Sequence, residues 1–234
     1  MGLRLAIPAA VKVILFGATG MVGAGMLREC LRDDRVHEVL SILRSSSGTV
    51  HPKLRELIRD DFFDYHDIRD ELRGANACFF CLGVTAVGKT EAQYHHLTFD
   101  ITLAAARTLA ELNPGMTFCY VSGYGTDSSE RGRTMWARVK GKTENELLRL
   151  PLKAFMLRPF YIQPLGGIKS KTRVYRVFYE IMGPLYPVLR RLTPNFVTSN
   201  EAMGRAMIEL AASGYGSPIL EVRDINRVGG GGRG

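Results

Sequence analysis

The residues Val11-Lys12-Val13-Ile14-Leu15-Phe16 form a β-branched apolar run that stops abruptly at Gly17. Gly20 and Gly23 follow at intervals of three, within Gly17-Ala18-Thr19-Gly20-Met21-Val22-Gly23, and a helical pattern begins inside the same stretch, at about 21–31. This order constrains the fold more than any other feature of the chain. A buried strand hands the backbone to a tight turn at Gly17, Gly20 lets another group approach the main chain, and Gly23 lets helix and strand pack closely. The new helix then offers unsatisfied N–H groups and positive potential at its start, which suits a phosphate. A glycine triplet alone says little, but one placed between a strand and a helix is specific.

The rest of the chain alternates. Strands are predicted at Val36–Leu43, 54–59, 77–82, Thr117–Val121 and 154–157, with helices at 65–72, 91–112 and 134–150 between them. Gly74, Asn113-Pro114-Gly115 and Pro151 close these helices. The segment 77–82 is apolar throughout, as a strand covered on both faces requires. Such alternation predicts an α/β fold, a Rossmann-type doubly wound parallel sheet with helices on both faces. Right-handed crossovers then bring the strand C-termini to one ligand-binding edge.

A length of 234 residues suits a single domain over 1–228, with its core at 11–159. After Pro159, Pro164, Gly166, Gly167, Gly183, Pro184, Pro187 and Pro194 break up the pattern, which predicts a small helical and loop appendage over 160–215, near the substrate. Within it, 173–191 mixes arginine with apolar residues, but its glycine and prolines favour a lid or subunit interface over a membrane-surface helix. Thr198-Ser199-Asn200-Glu201 reads as a capping box opening a helix to Ala212. A last strand is predicted at 219–222 and a flexible glycine-rich tail at 229–234.

The 31 basic and 23 acidic residues leave a net charge of +8. The basic residues are scattered and no base-reading motif accompanies them, which favours a phosphorylated small molecule over nucleic acid as partner. Cys78 and Cys81 form a C-x-x-C, but on a strand positions three apart face opposite ways, so neither a disulfide nor a metal site is expected. With Cys30 and Cys119 they read as buried free thiols, as in a reducing cytoplasm. Lys12 interrupts the N-terminal apolar stretch before an export signal forms, and no uncharged run is long enough to cross a bilayer. A cytoplasmic protein without a membrane partner is the expectation.

The end of the second strand bears on the choice of dinucleotide. NAD-binding chains of this architecture place an acid there for the ribose 2′-hydroxyl. This chain reads Ser41-Ile42-Leu43-Arg44-Ser45-Ser46-Ser47. Arg44 has the planar fork that clamps a 2′-phosphate, and Ser45 and its neighbours add donors, so NADP(H) is expected over NAD(H). Asp61, after the third strand, is expected at the adenine edge, and Leu82-Gly83 beside the adenosine ribose.

These residues resemble the short-chain dehydrogenase/reductase superfamily, above all its extended and atypical branches, which include sugar-nucleotide epimerases and dehydratases and the NmrA-like redox sensors. The likeness covers about 11–160; besides the glycine loop it rests on Asp61, on Tyr120-Val121-Ser122, on Lys140 and on Arg158-Pro159. It implies that Gly17, Thr19, Gly20, Met21, Val22, Gly23, Arg44, Ser45, Asp61, Leu82, Gly83, Lys140 and Pro159 hold the cofactor. It also implies that Ser122 orients a substrate oxygen while Lys140 binds the nicotinamide ribose.

In that superfamily a tyrosine four residues before the lysine relays a proton, and here Trp136 stands in its place. An indole N–H donates a hydrogen bond but is far too weak an acid for the relay. Tyr124 and Tyr161 are the candidate substitute acids, and Tyr94, His95 and His96 open the long helix nearby. Adjacent histidines on a helix are expected to point apart, against a metal site. The resemblance implies an oxidoreductase or epimerase acting on a small-molecule carbonyl or carbinol, or else a catalytically silent NADP(H)-binding sensor. It leaves room for a homodimer through the long helices.

Overall fold

The alternation of β1 (Val11–Phe16) sets the layers: Val13 and Leu15 enter one buried cluster, Ile14 and Phe16 the other. The computed structural model describes residues 10–167 and 186–230. Around β1 stand β2 (Val36–Leu43), β3 (Leu54–Ile58), β4 (Ala77–Phe80), β5 (Thr117–Val121), β6 (Lys153–Arg158) and β9 (Ile219–Glu221). They form one parallel sheet in the order β3-β2-β1-β4-β5-β6-β9. β7 (Tyr161–Gln163) and β8 (Val197–Ser199) pair separately beyond its edge. The chain leaves β1 for β2 on one side and returns to β4 on the other, so a crevice opens between β1 and β4 at the strand C-termini.

The first face is covered by α1 (Met21–Arg32), α7 (Asn200–Ser213) and α8 (Val222–Gly230), which supply Met26, Met207 and Ile225 to its core. The second is covered by α2 (Arg69–Leu72), α4 (Ile101–Leu112) and α5 (Met135–Arg149), through Leu72, Leu109 and Leu147. A short α6 (Tyr186–Leu192) lies near β8. Among the described residues no helix is long and apolar enough to cross a membrane. Cys78 and Cys119 belong to opposite clusters, and all four cysteines are free thiols.

Several expectations change. The helix expected at 65–72 is a 3-10 turn (His66–Ile68) followed by α2. The long helix expected at 91–112 is α3 (Glu91–His95), a π turn (His96–Asp100) and α4. The wider π turn brings both histidines, expected to diverge, to one carboxylate: His95 Nδ1 lies 3.3 Å and His96 Nδ1 3.0 Å from Asp100.

The capping box expected from Thr198 to Glu201 does not form. Ser199 is the cap, accepting the Ala202 N–H at 3.1 Å, Thr198 is buried in β8, and Glu201 pairs with Arg28 of α1. The segment expected as an appendage therefore divides, because α7 is part of the main core; residues 168–185, with most of the expected lid, lie outside the described residues. Gly229 and Gly230, expected in the tail, belong to α8, and the rest of that segment, 231–234, lies outside the described residues. Gly229 is buried in α8, where a Cβ would stand 2.0 Å from the Ala202 carbonyl oxygen, so its lack of a side chain is what lets two helices cross.

Candidate active site

At the β1/β4 crevice a cleft of about 210 Å³ is lined by Gly17, Thr19 and Gly20, by Leu43 and Arg44 at the end of β2, and by Leu82-Gly83 after β4. The three glycines do different work. Gly17 has φ +83°, and a Cβ there would sit 2.8 Å from the Cys81 and Leu82 backbone. At Gly23 it would lie 2.1 Å from the Gly17 carbonyl oxygen. Gly20 has an ordinary extended backbone, and its Cβ would approach only that same oxygen, at 3.3 Å. It caps α1 without a side-chain hydrogen bond, which leaves the first helical N–H groups, from Met21 and Val22 onward, for a ligand. A glycine cradle below an uncapped helix start fits a dinucleotide pyrophosphate.

Arg44 is exposed at the lip of this cleft and has no ion pair among the described residues. Ser45 is exposed beside it. Ser46 and Ser47 are already engaged: Ser46 Oγ donates to Glu56 at 2.6 Å, and the Ser47 N–H donates at 3.0 Å. Burial would raise the Glu56 carboxyl pKa, but these hydrogen bonds hold it below its ordinary value.

Asp61 does not line the cleft. Its carboxylate accepts the N–H groups of Phe63 at 2.7 Å and Asp64 at 3.3 Å, closing its own turn. An adjoining apolar cavity of about 210 Å³ is lined instead by Asp60, Phe62, Phe63, Leu97 and Ile101. Sequence reading missed Phe62 and Phe63; the signal available was an aromatic pair following the acidic turn after β3.

Across β5 the arrangement is less open. Ser122 is buried, and its Oγ donates to the Leu157 carbonyl at 3.2 Å, into the sheet. Lys140 of α5 donates to the Val121 carbonyl at 3.2 Å and lies 5.3 Å from the Tyr120 ring centroid. Burial lowers its pKa from 10.5 to about 8, with Glu144 opposing the shift. Trp136, one helical turn earlier, is half-buried, and its ring would stand 3.8–3.9 Å from a Cβ built at Gly123 or Gly125. Lysine and indole thus touch the same stretch, 121–125, after β5.

The remaining candidates scatter. Tyr124 is exposed, with its N–H donated to the Pro159 carbonyl at 2.8 Å. The Tyr161 hydroxyl donates to Gln163 Oε1 at 2.6 Å, and burial raises its pKa. Tyr94 is buried in the core, and neither it nor the two histidines lines either cavity. The fully buried Glu144 pairs with Arg158, a partnership invisible in the sequence. Among the described residues no group of three or more His, Cys, Asp or Glu could hold a metal ion.

The geometry finds its parallels in known proteins. UDP-N-acetylglucosamine 4-epimerase from Methanobrevibacter ruminantium superposes with a TM-score of 0.67 at 18% identity, over 91% of this chain and 76% of that one. The Bordetella bronchiseptica enzyme WbmF, solved with NAD+, gives 0.63 at 14% identity, over 94% and 77%. A short-chain dehydrogenase from Burkholderia cenocepacia, solved with NADP, gives 0.62 at 14%, over 91% and 87%. What these structures share with this chain is the fold, a parallel sheet with helices on both faces. In sequence, the chain is 28% identical over 141 residues to leucinostatins biosynthesis cluster protein T of Purpureocillium lilacinum, covering 58% of this chain. The chain spans 51%, about half, of that relative's length. No family model matches.

Proposed function

We propose that this chain is an NADP(H)-binding oxidoreductase of the short-chain dehydrogenase type, acting on a small-molecule carbonyl or carbinol. The observation that carries the reading is Arg44, without an ion pair among the described residues, at the lip of the glycine-loop cleft, where β2 ends without a carboxylate. In this reading Gly20 and the start of α1 hold the pyrophosphate, Arg44 and Ser45 the 2′-phosphate, and Phe62 the adenine. Bound NADP(H) supplies or accepts a hydride. Lys140 anchors the nicotinamide ribose from below the β5 loop, and Ser122, rotated from Leu157, orients the substrate oxygen. Tyr124 is the exposed phenol nearest in sequence to Ser122 and the first candidate for proton donor. The biosynthesis-cluster relative supports a small-molecule substrate.

The test is a titration of the parent and of Arg44→Asp with NADPH and NADH. A charge-assisted pair to phosphate contributes about 1.5–3 kcal/mol, or roughly ten- to a hundredfold in affinity. The parent should prefer NADPH by that factor, and Arg44→Asp should erase or reverse the preference. Equal affinity for both cofactors would overturn the assignment.

Two features favour a second reading, a silent NADP(H)-binding sensor: Trp136 stands four residues before Lys140, where the resemblance expects the relaying tyrosine, and the Ser122 hydroxyl is turned into the sheet. Tight NADPH binding without turnover of any carbonyl in a broad screen is its signature. An epimerase acting through a keto intermediate needs the same proton relay, so these features weigh against it too.

A further inference from the structure

Tyr124, Phe160 and Phe196 leave 46%, 61% and 43% of their surfaces exposed, yet they pack on one another. Their ring centroids are 5.3, 5.8 and 5.7 Å apart, with interplanar angles of 84°, 67° and 77°, a closed edge-to-face triangle. Main-chain bonds hold the segments that carry them. The Tyr124 N–H donates to the Pro159 carbonyl at 2.8 Å, the Tyr161 N–H to Phe196 at 3.0 Å, and the Phe196 N–H to Thr193 at 3.0 Å. The packing fixes the three rings, yet about half of each stays in water, and a preorganised exposed aromatic patch marks a binding surface.

Its position and charge narrow what it binds. Tyr124 lies two residues beyond Ser122, on the Gly123–Gly125 turn that Trp136 packs against, and Phe160 follows Arg158-Pro159. Tyr124 and Phe160 thus follow the carboxyl ends of β5 and β6, on the same edge of the sheet as the glycine-loop cleft. The cluster's one polar side-chain group is the Tyr124 hydroxyl. Arg158, two residues from Phe160, is held by Glu144, Glu221 and Ser128 and has no free charge to offer a diphosphate.

We propose that these three rings form the subsite for a flat apolar part of the substrate, so that the compound handled is an aromatic or polycyclic carbonyl or carbinol rather than a nucleotide-linked sugar. The inference rests on reading the β5–β6 edge as the substrate end, and deepens it. The experiment is calorimetric titration of NADP+-loaded protein with 9,10-phenanthrenequinone and, separately, with UDP-N-acetylglucosamine. It is repeated with Phe160→Ser, Phe196→Ser and Phe160→Leu. The quinone should bind the parent, and each serine variant should weaken it about tenfold, with a smaller loss for leucine. NADPH affinity and circular dichroism should stay at the parent's values in all three.

No quinone binding, or binding the variants do not weaken, would overturn the proposal. So would preferential binding of the nucleotide sugar, or a sedimentation dimer that Phe160→Ser dissociates, which would give the patch to a second copy of the chain. Failure of the parent to bind NADP(H) would instead strike the cofactor reading, and quinone titration of unloaded protein would still test the rings.

Discussion

The two halves of the crevice are built by different means. On the β1–β2–β4 side the site is mostly backbone: a positive-φ glycine, a carbonyl against which Gly23 leaves no room for a side chain, and an uncapped helix start. On the β5–β6 side it is mostly side chains, drawn from separate segments and already bonded to the protein, with Ser122 on Leu157, Lys140 on Val121 and Tyr161 on Gln163. A backbone site is set by local geometry and tolerates little substitution. A side-chain site depends on which rotamers and partners prevail, and can change its chemistry one residue at a time.

The largest effects should come from the backbone half. Gly23→Ala drives a methyl into the Gly17 carbonyl and should cost about 3 kcal/mol or more, read as a drop in urea midpoint. Gly20→Val meets that carbonyl only at 3.3 Å, so the fold should survive while NADPH affinity falls by about a hundredfold or more. If Gly20→Val binds NADPH normally, the contrast between the halves breaks, because the loop would not be the phosphate cradle.

The side-chain half should instead be open to gain. Trp136→Tyr restores a phenol one helical turn before Lys140 and frees space over the Gly123–Gly125 turn. Slow NADPH-dependent reduction of reactive diketones or quinones should rise about a hundredfold over the parent. A variant no faster than an already active parent moves the proton to another residue, with Tyr124 and Tyr161 the next to replace. In the parent, NADPH should also change the fluorescence of Trp136, the chain's one tryptophan.

The smallest effect is a pH dependence at Lys140, in the side-chain half. The unfolded lysine titrates near 10.5, whereas the folded one, its charge disfavoured by burial, titrates near 8. Below pH 8 both states are protonated and the buried charge opposes folding. Between about 8 and 10.5 the folded state has shed its proton and the unfolded state has not, so stability should rise with pH. Lys140→Met should remove that rise and stabilise the protein at neutral pH by about 1–3 kcal/mol. NADPH affinity of the parent should decline above pH 8 as the ammonium is lost. A melting temperature and a cofactor affinity both flat from pH 7 to 10 would place Lys140 outside the site.

How much could be read in advance follows the same division. The β1–glycine–α1 unit is contiguous and governed by local sterics, and the parallel sheet followed from alternation, while the order of its strands came from the fold. At Asp61 only the fold showed that the carboxylate also closes its own turn, through the Phe63 and Asp64 N–H groups. His95 and His96 were expected to diverge because α-helical spacing was assumed, and a π turn departs from it.

By itself, the sequence determined the parallel sheet, the edge where its strands end, the glycine cradle and the absence of an acid after β2. Each follows from short-range periodicity, chirality or the lack of a Cβ. Tertiary structure alone decided that Ser122 faces Leu157, that Glu144 is buried on Arg158, that Gly229 closes a helix crossing, and that the rings of Tyr124, Phe160 and Phe196, from separate segments, meet. Those outcomes depend on which distant side chains compete for the same space and the same hydrogen bonds, and no local pattern encodes that competition.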